Sequence, residues 1–243
     1  MELDAQQQKY AIHAACREGQ EQKVEALLQS DRKLAALRDD DDRLPLHWAA
    51  SYNRPKLIEI FSEQKNTFDV DAADGLGWTA LMMASSLPRD EGAPLVQTLL
   101  AQHAADPNLK NNSGQTALFF AVSKANLDVV RSLLAHGATA RVRDKRQQLP
   151  LHRAAAIGHV PILKDLLQKQ SPVDIADVDG CTPLHHAIAE GYGEAALVLL
   201  RAGADSSKKD SGGNLPISLA PDAKVRNYVL KMAEDEGIDV TTA

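Results

Sequence analysis

Between Cys181 and Glu190 the chain places a cysteine, two adjacent histidines (His185 and His186) and a glutamate, with Asp179 just ahead. These are the side chains of zinc sites and hydrolytic centres: thiolate and imidazole bind the metal, and a carboxylate near an imidazole can move a proton. A second candidate is Asp39–Asp42, four consecutive carboxylates, the residue type that holds hard cations or acts in acid–base pairs. Neither pattern completes itself. A zinc site needs about four converging ligands in paired short spacings, and no second pair accompanies Cys181 and His185. Four neighbouring carboxylates on a short turn cannot all converge on one ion, so Asp39–Asp42 reads as a solvated acidic tip. There is no GxxxxGK[ST] and no GxSxG, and SGGN at Ser211–Asn214 reads as a turn. No metal, no cofactor and no enzymatic activity is expected.

The elements around these residues explain them better, because the chain repeats itself. TPLHHAI at Thr182–Ile188 has counterparts in LPLHRAA (Leu149–Ala155), LPLHWAA (Leu44–Ala50), TALFFAV (Thr116–Val122) and TALMMAS (Thr79–Ser85). YAIHAAC at Tyr10–Cys16 and LPISLAP at Leu215–Pro221 are degenerate terminal copies. The copies start at 10, 44, 79, 116, 149, 182 and 215, so successive spacings are 34, 35, 37, 33, 33 and 33. A period near 33 with this heptapeptide predicts an all-α ankyrin-repeat solenoid of about seven helix-turn-helix repeats with β-hairpin fingers. Each unit carries the parts. Thr182–Pro183 opens a helix with a hydroxyl N-cap and a proline in the first turn. Val129, Val130, Leu133 and Leu134 give the second helix an apolar face, and Gly137 ends it. The longest spacing falls at LPRDEGAP, Leu87–Pro94, read as a widened helix–helix loop. One repeat domain is expected over 1–233, followed by an acidic, flexible tail over 234–243.

The repeat answers the question of chemistry. His185 occupies a motif position that His13, His47 and His152 fill in their own units. A catalytic group needs no copies along a stack. A structural imidazole that bridges backbone groups does, since buried polar groups require partners. Cys181 stands where Arg43, Trp78, Gln115 and Gln148 stand elsewhere, so its position is variable.

The bulk composition agrees. The chain has 243 residues, is 44% hydrophobic and only 4% aromatic, as an Ala/Leu-built helical stack allows, and carries a formal charge of −6. The acidic balance argues against nucleic acid as a partner. Two distant cysteines suit a reducing compartment. The polar start MELDAQQQKY lacks a signal-peptide core, and no apolar run is long enough for a membrane span. A cytoplasmic and nuclear protein, monomeric when free, is expected.

In such a stack the turn tips and inner helices line a concave face whose residues are free to vary. Its expected residues are Glu18, Asp40, Asp41, Arg43, Trp48, Tyr52, Asp74 and Trp78 toward the N-terminus. Lys124, Lys145, Arg146 and Arg153 follow in the middle, and Asp179 and Glu190 later. The face therefore reads acidic, then basic, then acidic, with aromatic anchors of the kind that dominate interfaces. Arg43 and Lys124 flank Trp78 and are expected to be the more buried charges in the complex with a partner.

LPLHWAA after an acidic turn, then DGLGWTAL, DKRQQLPLHRAAAIG and DGCTPLHHAIAEG, resembles the gankyrin-type assembly chaperones of the proteasome regulatory particle, in particular their fungal members. The resemblance runs from about Ile12 to Leu230, and its distinguishing marks are Trp48, Gly77–Trp78 and Arg153. It implies a non-enzymatic chaperone that grips the C-terminal helical domain of a proteasome base ATPase subunit through its concave face and regulates assembly. Charged contacts of that family match here at Asp41, Arg43 and Lys124; a further acid falls at Gly75, beside Asp74. Where the family carries an LxCxE motif, this chain reads HAIAE, with His186 and Ile188 in place of Leu and Cys. The alternative function is an ankyrin-repeat regulator of a kinase or transcription factor.

Overall fold

A computed structural model describes residues 10–64 and 67–241. Residues 1–9, which include most of the polar start, and 242–243 of the acidic tail lie outside the described residues. Helices follow one another in pairs: α1 (Ala11–Glu18) with α2 (Glu21–Ser30), α3 (Pro45–Ser51) with α4 (Pro55–Ser62), and α5 (Ala80–Ser85) with α6 (Ala93–Ala101). Next come α7 (Ala117–Ser123) with α8 (Leu127–Ala135), α9 (Pro150–Ala156) with α10 (Val160–Gln168), and α11 (Pro183–Ala189) with α12 (Gly193–Arg201). A 3-10 turn (Pro216–Leu219) and the longer helix α13 (Ala223–Asp235) close the stack. The first helix of each pair packs on the first helix of the next, and the second on the second.

Residue size explains this two-row packing. The inner helices meet through wholly buried alanines: Ala49, Ala84, Ala121, Ala154 and Ala187. Small side chains let these helices approach closely. The outer row fills the wider gaps with fully buried Leu57, Leu95, Leu99, Val129, Leu133, Ile162 and Leu166. Each such aliphatic side chain stabilises the fold by about 1.5–3 kcal/mol. Pro45, Pro150 and Pro183 stand at the starts of α3, α9 and α11, where a missing N–H costs nothing.

The fingers differ from the expected hairpins: among the described residues no strand forms. Each finger is a tight turn held by two backbone bonds, such as Asp74 N–H to Trp78 O and Gly77 N–H to Asp74 O, both at 2.9 Å, or Asp144 N–H to Gln148 O at 3.0 Å and Gln147 N–H to Asp144 O at 2.9 Å. The cause is an Asp or Asn at the first turn position. Oδ1 of Asp39, Asp74, Asn111, Asp144, Asp177 and Asp210 each accepts two backbone N–H groups of its own turn. Those donors are spent locally and no longer run into a ladder. Neighbouring fingers are joined tip to tip, for instance Gly75 N–H to Asp41 O at 3.1 Å and Asn112 N–H to Leu76 O at 2.9 Å.

The Leu87–Pro94 insertion is tied down on both sides. Asn126 donates to Leu87 O and Ser85 O, Asp90 Oδ1 accepts the Val129 N–H at 3.1 Å, and Asn53 donates to Glu91 O at 2.9 Å. The acidic tail begins inside α13, which runs to Asp235. Beyond it Glu236 takes two donors from Arg201 at 2.6 and 2.7 Å, Ile238 and Val240 pack on the core, and Ser206 Oγ accepts the Thr241 N–H at 3.0 Å. The tail residues 236–241 thus lie against the last repeat, where a free acidic extension was expected.

Candidate partner-binding face

The motif histidines form a buried row. His47 Nδ1 accepts the Leu44 N–H at 2.9 Å while Nε2 donates to Ala72 O at 2.9 Å. His152 repeats the bridge between Leu149 N–H and Ile175 O, both at 3.0 Å, and His185 between Thr182 N–H (3.1 Å) and Asn214 O (3.3 Å). The Thr182 hydroxyl, expected to cap the helix, lies 2.9 Å from His185 Nδ1 instead. His13 reaches Leu37 O and Arg43 O through Nε2. In the His47, His152 and His185 bridges the acceptor role of Nδ1 fixes the neutral tautomer with the proton on Nε2. Burial holds all four imidazoles below the ordinary histidine range, His152 at about 4.

The Cys181–His186 region has the same scaffolding character. His186 Nε2 lies 2.9 Å from Asp177 Oδ2, which also accepts from Gln148 at 2.9 Å. Burial pushes the Asp177 carboxyl up, but bonds from Gln148, His186 and the Cys181 and Asp179 N–H groups outweigh it and hold it below its usual range. Burial, helped by Asp177, Asp210 and Asp179, pushes the Cys181 thiol up to about 11, so the free thiol stays protonated near neutral pH. Among the described residues no three His, Cys, Asp or Glu side chains are placed to share a metal ion.

The finger tips and inner helices supply a mixed surface. Asp41 is exposed, Asp40 Oδ1 accepts the Tyr10 hydroxyl at 2.7 Å, and Glu18 accepts from Gln20 at 2.6 Å. Trp48 donates Nε1 to Asp39 Oδ2 at 2.7 Å and stacks on Tyr52, with ring centroids 6.0 Å apart; the Arg43 guanidinium lies 5.8 Å from the Trp48 ring centre. The Trp78 and Phe120 rings are 4.0 Å apart. Lys124, at the end of α7, and Lys145 are exposed; Arg146 pairs with Asp179 at 2.8 Å, and Arg153 donates to Ser123 Oγ at 3.2 Å. Glu190 is exposed at the end of α11.

One placement departs from the sequence reading. Asp74, expected on the surface, has a buried carboxylate: Oδ1 braces its own turn and Oδ2 holds Arg43 Nε at 3.2 Å. A carboxylate spent on two turn N–H groups and an ion pair is part of the finger, and it orients Arg43. Lys124, at the end of α7, is exposed in the free chain, and Arg43 is half-buried. The sequence reading also passed over Leu76, 61% exposed on its finger tip, and Phe120 as the partner of Trp78. The signal for Leu76 was present. The same turn position carries Asp41, Ser113, Arg146, Asp179 and Gly212 in other units, so Leu76 is the sole large apolar residue of that column.

Comparisons agree with this architecture. The family model described as "Ankyrin repeats (3 copies)" matches residues 1–74, 57–144, 81–172 and 126–210. An ankyrin repeat-containing protein of Schizosaccharomyces pombe is 36% identical over 221 residues, 90% of this chain and 94% of that protein. "Probable 26S proteasome regulatory subunit p28" of Saccharomyces cerevisiae is 35% identical over 127 residues, 51% of this chain and 54% of that protein. Among solved structures, the ankyrin repeat domain of Bcl-3, a member of the IkappaB family, superposes with a TM-score of 0.73 at 25% identity, covering 90% of this chain and 96% of that one. The family model covers residues 1–210 between its matches, and the chain belongs to the ankyrin-repeat family.

Proposed function

We propose that this chain is a non-enzymatic assembly chaperone of the proteasome regulatory particle, binding the C-terminal helical domain of a base ATPase subunit through its concave face. The observation that carries the reading is the 127-residue similarity to the yeast protein described as p28, which spans half of this chain. The surface supports it. Asp41 stands on the N-terminal side of the Trp48–Tyr52 and Trp78–Phe120 pairs, and Lys124 and Lys145 follow on the C-terminal side. A partner of opposite pattern would be steered onto this face and held in one register. Action in the cytoplasm and nucleus is part of the same proposal.

The test is titration of the purified chain with isolated C-terminal domains of base ATPase subunits, at low and high salt. A one-to-one complex that weakens as salt rises is expected. Absence of binding to every such domain, with a kinase or transcription factor bound instead, overturns the reading in favour of a different ankyrin-repeat regulator.

A further inference from the structure

We propose that Leu76 is a fixed apolar anchor, built to seat an apolar side chain of an amphipathic helix whose basic residues face Asp41 and whose acidic residues face Lys145. This deepens the reading above and rests on it for the identity of the partner. Leu76 is the most exposed of the large apolar side chains among the described residues, at 61%. A leucine on a loose loop would be ordinary surface, but this one is pinned. Its own N–H donates to Asp74 Oδ1 at 2.9 Å, and its carbonyl accepts the Asn112 N–H at 2.9 Å. The preceding Gly75 donates to Asp41 O at 3.1 Å.

The two flanking glycines make this close stacking possible. A Cβ on Gly75 would lie 2.9 Å from Asp41 O; one on Gly77, at φ 78°, would lie 2.9 Å from Asn112 N. Asp-Gly-Leu-Gly-Trp therefore spends its small residues on locking three finger tips together and leaves one large side chain outside. Pre-ordering of this kind removes most of the backbone cost of binding.

The column of finger-tip residues gives the occupant's chemistry. Reading along the stack it runs Asp41, Leu76, Ser113, Arg146, Asp179. Arg146 is engaged with Asp179, which leaves Lys145 as the cation of that tip, and it forms no ion pair with a described residue. An apolar point between an acid and a base fits a helix that presents a base, an apolar residue and an acid in the same order. A purely acidic or purely basic segment satisfies only one end.

The experiment measures Leu76→Asp and Leu76→Ala beside wild type, each checked for an unchanged melting curve. The probes are the ATPase C-terminal domains and a synthetic helical peptide with Lys, Leu and Glu in the stated order. Leu76→Asp is expected to weaken the domain complex about tenfold or more and Leu76→Ala less, as loss of one buried Leu implies. The peptide should shift the Leu76 methyl signals of the wild type, and a peptide with its charges exchanged should not. If the domain binds wild type and Leu76→Asp equally, the anchor is wrong and the chaperone reading stands. If no domain binds wild type, the chaperone reading falls, and the peptide alone decides the anchor: a charge-order-dependent shift supports it and none overturns it. A wild-type dimer that dissociates in Leu76→Asp also overturns it, since the anchor would then serve a second copy of this chain.

Discussion

Two columns of residues run down the same stack and behave oppositely. The histidine column, His47, His152 and His185, repeats its chemistry: each ring is buried and bridges a helix-start N–H to a carbonyl about one finger away. The finger-tip column, Asp41, Leu76, Ser113, Arg146 and Asp179, repeats only its backbone. Its side chains change from acid to apolar to base. What recurs with the period holds neighbouring units together, and what departs from the period is available for recognition. Reactive residue types in the first column are therefore scaffold, and bland residue types in the second can be the site.

The comparison breaks if a repeated histidine can be removed harmlessly. His152→Ala leaves the Leu149 N–H and the Ile175 carbonyl without their partner. Each orphaned buried group costs about 1–3 kcal/mol, so denaturant unfolding should show a loss of about 3 kcal/mol. Binding by the folded fraction should be unchanged.

A second effect is smaller per step and concerns pH. The four buried motif histidines are held below 6.5 by burial, His152 to about 4. In the unfolded chain each takes up a proton as pH falls through about 6.5, while the folded chain resists until near 4 for His152. The unfolded state then binds more protons, so stability is lost as pH falls through this window, by up to about 1.4 kcal/mol per unit per histidine. Melting temperatures recorded from pH 7 to 4.5 should fall steadily, and His152→Ala should reduce the slope. A flat profile would mean that the rings are not held neutral.

The smallest effect belongs to the variable column. Asp179→Asn removes the exposed Arg146 ion pair, which is worth about 0–1 kcal/mol. Thermal unfolding should barely register it. A large loss would show that the finger tips carry the fold as well as the face.

Much of this division was legible in the sequence. The recurring heptapeptide marks the six inner helices among the described residues, with prolines at Pro45, Pro150 and Pro183 and histidines at His13, His47, His152 and His185, while its last copy, Leu215–Pro221, forms a 3-10 turn. The fingers were less legible because the repeat period brings an expectation of hairpins with it, whereas Asp39, Asp74, Asn111, Asp144, Asp177 and Asp210 spend their carboxylate or amide oxygens on the turn itself. That series recurs with the period and could have been read as structural, which would have removed Asp74 from the surface set. Leu76 was hidden for the opposite reason: an apolar residue between two glycines reads as turn filler until its column is compared. The docking of Glu236 on Arg201 is a tertiary ion pair with no repeat to announce it.

The central claim is that the non-repeating face is the docking surface, and Lys124 tests it most directly, because it is exposed and stands outside the histidine and turn-bracing networks. The measurement is calorimetric titration of Lys124→Glu with the ATPase C-terminal domain at low and high salt, beside wild type. The account predicts a Kd at least about tenfold weaker at low salt, a reduced salt dependence and an unchanged melting temperature. Wild-type affinity with no salt dependence would contradict it and move the docking surface away from this face.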